Sequence, residues 1–316
     1  MGIHYLSQSL NGEERHTYPP VSIALGYFDG VHQGHRKVIQ AVIDDASKRN
    51  VESAVLTFHP HPKTVLGKEP LQQYDEITPI EKKLSVLESL GVDHIFLVTF
   101  DEQLSSLSPQ QFVDTYLIPI HVVHATAGFD FSYGQYGKGT MQAMPEYSRG
   151  LITTTVIEKW EQSGEKVSST RVRRVIDEGN VAEATELLTR PYELSGTVIR
   201  GDQRGRELGF PTANVELTSN FIVPATGVYF VTVKTAQGEK RGLCNIGYLP
   251  TFFEDRQDVS VEVYVLDFDG DLYGEQMDVQ FLDKVRDDEK FDRVEDLVTQ
   301  MKEDEKKARA YFTSSR

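Results

Sequence analysis

The period of the apolar residues changes near residue 190, and this change limits the possible folds of the chain more than any other feature. Before it, short apolar runs are separated by stretches in which apolar residues recur every three to four positions, as in an α-helix. These runs are residues 21–25, 53–58, 95–100 and 122–127. After it, apolar and polar residues alternate, most clearly at residues 228–235 and 259–265, as in half-buried strands.

The two patterns predict two domains of different class, which suits a chain of 316 residues. Strands that alternate with helices are typical of a parallel sheet covered on both faces, so we expect a Rossmann-like α/β domain over residues 1–186. Over residues 187–316 we expect an antiparallel β-barrel or sandwich. A closing helix follows it, with an apolar stripe formed by Val294, Leu297, Val298 and Met301.

Local signals predict helix starts, a turn and a loop. Thr78 and Ser108 are each followed by proline and, three residues on, by Glu or Gln, which predicts an N-cap with a capping box. Residues 269–271, Asp-Gly-Asp, are typical of a hairpin turn. Residues 132–144 are rich in Gly, Tyr and Gln, so we expect a mobile surface loop there.

Charge and cysteine content exclude some classes of partner and compartment. The net charge of -15 repels nucleic acid and anionic membranes at long range, although local basic groups can still bind phosphates. The single cysteine, Cys244, cannot form an intramolecular disulfide, and its apolar neighbours predict a buried, unreactive thiol. Without a signal peptide or an apolar run of membrane-spanning length, we expect a cytoplasmic protein.

Residues 26–35, Gly-Tyr-Phe-Asp-Gly-Val-His-Gln-Gly-His, occupy the turn between the first strand and the first helix. In open α/β sheets, ligands bind at this position, outside the carboxyl end of a strand. Glycines allow a phosphate to approach the backbone, and the helix N-terminus adds exposed amide groups. His32 and His35 can donate hydrogen bonds to a triphosphate. The simpler interpretation is a strand-to-helix turn with surface histidines.

Two further clusters lie in the first domain. Ser169, Thr170 and Arg173 open a later helix, where hydroxyl groups either cap the helix or bind a phosphate that the arginine holds. His59 and His61 suggest a metal site, but no cysteine or carboxylate partner has the spacing of a zinc site. These two histidines line a flavin or phosphate pocket, or they only decorate a rigid loop.

In the second domain, residues 201–214 are dense in glycine. They lack the ending of a Walker A loop and the glycine pattern of protein kinases, so composition alone favours a loop that closes a barrel. Glu262 lies in the middle of a strand, on the face opposite its valines. Strand alternation alone favours a solvent-facing side chain at this position.

Four segments of the first domain resemble the adenylyltransferase module of bacterial FAD synthetases. They are residues 26–35, 57–62, 128–131 and the Ser-Ser-Thr-x-x-Arg run that ends at Arg173. The resemblance implies a nucleotidyltransferase in which the phosphate of FMN attacks the α-phosphate of MgATP and pyrophosphate leaves. No covalent enzyme intermediate is needed, so catalysis rests on positioning and charge stabilisation.

The same resemblance implies roles for individual residues. It places the ATP phosphates on His32, His35, Ser169, Thr170 and Arg173. Further nucleotide contacts are implied for Gly26, Phe28, Asp29, Gly30 and Gly34. Asp130 is implied to lie at the nucleotide or flavin pocket.

The second domain resembles riboflavin kinases, through the Pro-Thr-Ala-Asn run that ends at Asn214. The resemblance implies that Thr212 and Asn214 bind Mg²⁺ and that Glu262 is the general base for the 5′-hydroxyl of riboflavin. It implies phosphate contacts for Gly201, Gly205, Arg206 and Gly209, and flavin contacts for Arg286 and Phe291. Two departures from the family, Leu249 and Tyr264, concern details of substrate contacts.

The expected function is therefore bifunctional: riboflavin is phosphorylated to FMN, and FMN is adenylylated to FAD. The expected partners are ATP, riboflavin and FMN, with no nucleic acid and no membrane, and the oligomeric state stays open. Three alternatives are an enzyme similar to aminoacyl-tRNA synthetases, a non-catalytic flavin-binding regulator, and an enzyme with one active half. The chain lacks a lysine-rich second synthetase signature, and its central motif residues are intact.

Overall fold

The structure is a computed structural model that describes residues 2–6, 18–66, 74–201, 205, 208–248 and 259–314. The chain divides into two compact units, Met1–Ser169 and Thr170–Arg316. The prediction placed a division at residue 186, so two helices that it assigned to the first domain belong to the second unit. Among the described residues, no helix is both long and apolar enough to cross a bilayer.

The first unit contains a six-stranded sheet in which every neighbouring pair is parallel. Its strands are β1 (Gly2–Leu6), β2 (Val21–Leu25), β3 (Glu52–His59), β4 (His94–Thr99), β5 (Val122–Gly128) and β8 (Thr153–Ile157). The strand order is β1-β4-β3-β2-β5-β8. Four short strands lie outside this sheet: β6 (Ser132–Tyr133), β7 (Gly139–Thr140), β9 (Glu161–Gln162) and β10 (Glu165–Lys166). The predicted parallel sheet is confirmed.

The sheet is covered on both faces, as expected. Successive residues of one strand enter two different cores: Ile23 and Leu25 of β2 pack on one face, and Ala24 packs on the other. The helices are α1 (Gln33–Arg49), α2 (Pro62–Leu66), α3 (Ile80–Glu88), α4 (Glu102–Ser106), α5 (Pro109–Phe112) and α6 (Met144–Tyr147). A π-helical turn, Val113–Leu117, continues α5.

Three local predictions have different outcomes. The capping box at Ser108 is present in full. The one at Thr78 is wrong, because α3 begins at Ile80 with Pro79 at the cap position and no side-chain cap. The backbone N–H of Thr78 instead donates to Asp29. Residues 132–144 are not only a surface loop, since they form the β6–β7 hairpin and bury Tyr133.

The second unit is built around a closed antiparallel barrel. Its strands are β11 (Tyr192–Ile199), β12 (Thr212–Leu217), β13 (Gly227–Thr235), β14 (Gly238–Tyr248), β15 (Val259–Val265) and β16 (Gln276–Arg286). Around the barrel they follow the order β11-β12-β15-β14-β13-β16, and β16 closes it by pairing with both β13 and β11. Of the two predicted architectures, the barrel is the one that forms.

The helices of this unit are α7 (Ser169–Asp177), α8 (Val181–Leu188) and α9 (Val294–Ser314). Helix α8 packs against β16 and β11. Helix α9 covers part of the outer face of the barrel, where Ala308 and Phe312 join Phe230 and Leu243 in one apolar cluster. On the inner face, Val263 of β15 lies opposite Cys244 of β14, and the predicted buried thiol is confirmed.

Two predictions for this unit are wrong. Residues 269–271 do not form a hairpin turn, because the strands on either side of them, β15 and β16, pair with other strands and not with each other. The stripe predicted for α9 begins too early: Val294 is exposed, and the buried residues of the helix are Asp304, Ala308 and Phe312. An aspartate at the centre of a buried helix face does not show in an apolar pattern.

Candidate active sites

The loop between β2 and α1 has a tightly turned backbone. Phe28, Gly30 and Val31 have φ angles of 58°, 83° and 44°, in the left-handed region that favours glycine. At Gly34 an added Cβ would come within 3.1 Å of the His32 ring. These constraints bring the chain from the carboxyl end of β2 into the first turn of α1 within a few residues.

The two predicted phosphate-binding histidines lie together at the start of α1. His32 is the N-cap, and its Nδ1 atom accepts a hydrogen bond from the His35 backbone N–H at 3.3 Å. The two rings are stacked, with centroids 3.6 Å apart. Burial, reinforced by the neighbouring charges of His32, Lys83 and Lys166, holds the pKa of His35 well below its usual value. His35 is therefore neutral at pH 7.

The loop is held by contacts that involve Asp29. Its carboxylate is buried and accepts a hydrogen bond from the Thr78 backbone N–H at 3.1 Å. The Ser169 hydroxyl donates to the Asp29 carbonyl oxygen at 3.0 Å, which brings this predicted phosphate-binding residue to the loop. Thr170 and Arg173 follow on α7 in the second unit, and their approach to the triphosphate stays a prediction.

Other predicted residues lie at the same edge of the sheet. Asp130 follows the carboxyl end of β5, is exposed, and forms an ion pair with Lys166 at 2.7 Å. His61 stacks on Tyr74 at 3.9 Å and meets the edge of Tyr27 at 4.3 Å. The loops after β2, β3 and β5 therefore all begin at this edge, as the parallel sheet requires.

Sequence reasoning missed the most enclosed charge of this region. Lys83 of α3 has no exposed surface, and its Nζ atom donates to the carbonyl oxygens of Tyr27 and Phe58, each at 3.2 Å. A signal was present, because Lys83 lies three residues after Ile80 and four before Leu87, on the apolar stripe of the helix. A lysine on such a stripe either reaches to the surface or is buried with partners.

The predicted residues of the second unit form one row across neighbouring strands. Asn214 of β12 lies opposite Glu262 of β15, and Glu262 lies opposite Asn245 of β14. The Thr212 hydroxyl donates to the Glu262 carboxylate at 3.4 Å. All four side chains are half-buried. Glu262 is therefore not simply solvent-facing, and Asn245 is a neighbour that the sequence did not single out for chemistry.

The glycine-rich segment lies against this row. An added Cβ on Gly201 would come within 2.3 Å of the Asn214 side-chain amide, and one on Gly205 would come within 2.4 Å of the Phe210 carbonyl oxygen. Gly209 has a φ of 86°. Arg206 lies outside the described residues, as does the departure at Leu249.

A cavity of about 390 Å³ opens beside Thr212. Apolar residues such as Val198 and Val265 line it, together with the connection of residues 268–273 between β15 and β16. The wrongly predicted hairpin turn is therefore part of the wall of this cavity.

Arg286, a predicted flavin contact, lies at the end of β16. Its Nε atom forms an ion pair with Asp304 of α9 at 2.9 Å, with the two side chains only 14% and 4% exposed. Gln300 also donates to Asp304, and the Phe291 ring lies 5.9 Å from the guanidinium. The pattern of α9 did not indicate Asp304 as the partner that holds Arg286 in place.

The fold and these two groups of residues define a transferase with two phosphate-handling sites, one in each unit. Family models support both assignments: FAD synthetase matches residues 14–171, and Riboflavin kinase matches residues 188–312. The chain belongs to the family of bifunctional riboflavin kinase/FMN adenylyltransferases. It is an enzyme that forms FMN from riboflavin and FAD from FMN.

Relatives match over nearly the whole chain. The bifunctional riboflavin kinase/FMN adenylyltransferase of Bacillus subtilis is 45% identical over 295 residues, which is 93% of each chain. The protein of that description from Escherichia coli K12 is 35% identical and covers 98% of this chain and 96% of its own. A crystal structure described as a macrolide-efflux protein from Streptococcus pneumoniae is 35% identical, with a TM-score of 0.86 over 97% of this chain and 98% of its own.

Proposed function

We propose that the two reactions are divided between the two units and carried by the residues described above. The barrel unit transfers the γ-phosphoryl group of ATP to the 5′-hydroxyl of riboflavin. The α/β unit then joins FMN to the adenylyl group of a second ATP. The observation that carries this proposal is the coexistence of the stacked histidines at the start of α1 with the row of Asn214, Glu262 and Asn245 in the barrel.

In the α/β unit, an oxygen of the FMN phosphate attacks the α-phosphorus of ATP, the bond from that phosphorus to the bridging oxygen breaks, and pyrophosphate leaves. The Nδ1 atom of His32 accepts the backbone hydrogen bond of His35, so in a neutral ring the proton of His32 is on Nε2. That N–H can donate to a phosphate oxygen as negative charge moves toward the leaving group. The amide groups at the start of α1 act in the same direction.

In the barrel unit, Glu262 accepts the proton of the riboflavin hydroxyl as this oxygen attacks the γ-phosphorus. The hydrogen bond from Thr212 and the flanking asparagines orient the carboxylate. A carboxylate beside a reacting hydroxyl is the arrangement that general-base catalysis requires. ADP leaves, and FMN carries the new phosphate.

The residues of the barrel site fit a magnesium ion. Thr212, Asn214 and Glu262 supply oxygen atoms to one face, and Gly201 leaves the Asn214 side chain room that a Cβ would fill. Oxygen ligands are those that Mg²⁺ prefers, and Thr212 and Asn214 would hold it. When bound, such an ion neutralises the charge of the ATP phosphates. The adjoining cavity, with its apolar lining, suits the base of the nucleotide.

The setting proposed for the enzyme is the cytoplasm, with ATP, riboflavin and FMN as its partners. A single buried cysteine needs no oxidising compartment. The acidic net charge of -15 argues against a nucleic-acid partner.

The direct test is to incubate the protein with riboflavin, ATP and magnesium and to separate the flavins by chromatography. We expect FMN to form first and FAD to follow, with neither formed when a chelator removes the magnesium. A protein that makes FMN but never FAD would show that only the barrel unit is active. A protein that makes neither would refute the proposal.

A further inference from the structure

Lys83 lies where two loops of the FAD-forming unit begin. Its two acceptors belong to different segments: Tyr27 is in the loop that carries His32 and His35, and Phe58 is at the end of β3, next to His59. One ammonium group therefore ties together the carboxyl ends of two neighbouring parallel strands. The positions of both loops at this edge of the sheet depend on that group.

The same ammonium group is surrounded by acidic and aromatic side chains. Its Nζ atom lies 4.0 Å from the centre of the Tyr27 ring, whose hydroxyl donates to the Glu76 carboxylate. The charges of Glu76 and Asp29 both favour the protonated lysine, and both carboxylates are buried. The titratable groups around Lys83 are thus Tyr27, Asp29 and Glu76, with His35 on α1 also within its electrostatic reach.

A lysine that only filled space would be a poor choice here. A buried ammonium group loses its hydration, and an apolar side chain of similar length fills the same volume without that cost. Deleting the charge, however, would leave two carbonyl oxygens without this donor and two buried carboxylates without a cation. Those carboxylates lie beside the loop that has to receive a triphosphate.

We propose that Lys83 is a positioning residue for adenylyl transfer: it fixes the loop of residues 26–35 on the end of β3 and balances Asp29 and Glu76, so that the loop can accept ATP. The inference rests on the proposed function of the α/β unit. It assigns Lys83 no contact with the reacting atoms. Burial lowers the pKa of Lys83 to about 8, with Glu76 and Asp29 opposing the shift, so the group is charged at neutral pH.

The test compares Lys83→Met with Lys82→Met, which removes a lysine charge one residue earlier on the same helix. We expect Lys83→Met to lower kcat/KM for ATP in FAD formation about 10²-fold, the scale of an error of 1 Å in positioning. Lys82→Met should stay within about twofold of the wild type, because its ammonium group carries none of these loop contacts. Riboflavin phosphorylation in the barrel should be unchanged in both variants and reports that the protein is folded.

A charge-balance variant separates the two parts of the role. Glu76→Gln in the Lys83→Met background removes one of the uncompensated carboxylates, so the KM for ATP should recover about tenfold while kcat stays low. Normal kcat and KM in Lys83→Met, with only a lower melting temperature, would overturn the proposal. A wild-type protein that makes no FAD would instead refute the proposed function itself.

A measurement on the wild type covers the case in which Lys83→Met does not fold. FAD formation should fall as the pH rises through about 8, because Lys83 loses its charge there. Lys83→Arg keeps the charge and should move this alkaline fall to higher pH, since arginine stays protonated. An alkaline fall that does not move in Lys83→Arg would also overturn the proposal.

Discussion

The first unit of the chain predicted from sequence to carry the kinase begins at residue 187, but helix α8 lies before that point and packs on the barrel. Four of its residues, Val181, Ala184, Leu187 and Leu188, are at most 1% exposed. We therefore compare two fragments, residues 168–316 and residues 187–316. The longer keeps α7 and α8, whereas the shorter keeps only the end of α8.

The magnitude follows from the lost burial. A fully buried valine or leucine contributes about 1.5–3 kcal/mol, so losing the packing of α8 should cost about 5–8 kcal/mol. Domains of this size have unfolding free energies of about 5–15 kcal/mol. We expect the longer fragment to fold and to phosphorylate riboflavin, and the shorter one to be unfolded or marginally stable.

The assay is urea unfolding followed by far-ultraviolet circular dichroism, because the single tryptophan, Trp160, lies outside both fragments. Product analysis with riboflavin, ATP and magnesium reports activity. Leu187→Ala in the longer fragment is an intermediate case and should cost about 2–5 kcal/mol. If residues 187–316 unfold within about 1 kcal/mol of the longer fragment, the packing of α8 on the barrel is not needed and the reasoning is refuted.

Three substitutions test the remaining assignments. His32→Ala removes a phosphate donor, so FAD formation from FMN should fall by at least about 10²-fold. FMN formation should persist; normal FAD synthesis would remove His32 from the mechanism. Glu262→Gln should lower FMN formation by about 10²–10⁴-fold and leave FAD formation from supplied FMN unchanged, and an equal fall in both reactions would make Glu262 structural. Asp304→Asn leaves Arg286 without its buried partner; it should destabilise the barrel unit by about 3–5 kcal/mol in urea unfolding and raise the KM for riboflavin, whereas an unchanged KM would argue against a flavin contact.

Local pattern was sufficient where local interactions decide the structure. The sheet strands from Val21 to Gly128, the capping box at Ser108 and the barrel were all predicted, because periodicity and capping depend on neighbouring residues. Strands β1 and β8 were missed: both lie at the edges of the sheet, and β8 begins with three threonines and has a half-exposed pattern. An edge strand shows little of the apolar run that marks a central one.

Pairing and buried charge could not be predicted in the same way. Residues 269–271 have the composition of a hairpin turn, but the pairing of β15 with β12 and β14 is decided by contacts far apart in sequence. For that reason the placement of Asn245 beside Glu262 was also beyond reach. Lys83 and Asp304 are charged residues of types that are usually exposed, so only the structure shows that both are enclosed.

The closure of the barrel has a consequence for how quickly the kinase unit can fold. Its first strand, β11, pairs with its last, β16, so that Tyr192 lies opposite Phe281. Contacts between residues so distant in sequence slow folding, because the loop between them has to close before the pairing stabilises it. During synthesis the sheet of the first unit is already complete while β11 still waits for its partner. The nascent chain can therefore acquire the FAD-forming fold well before the FMN-forming one, although FMN is made first.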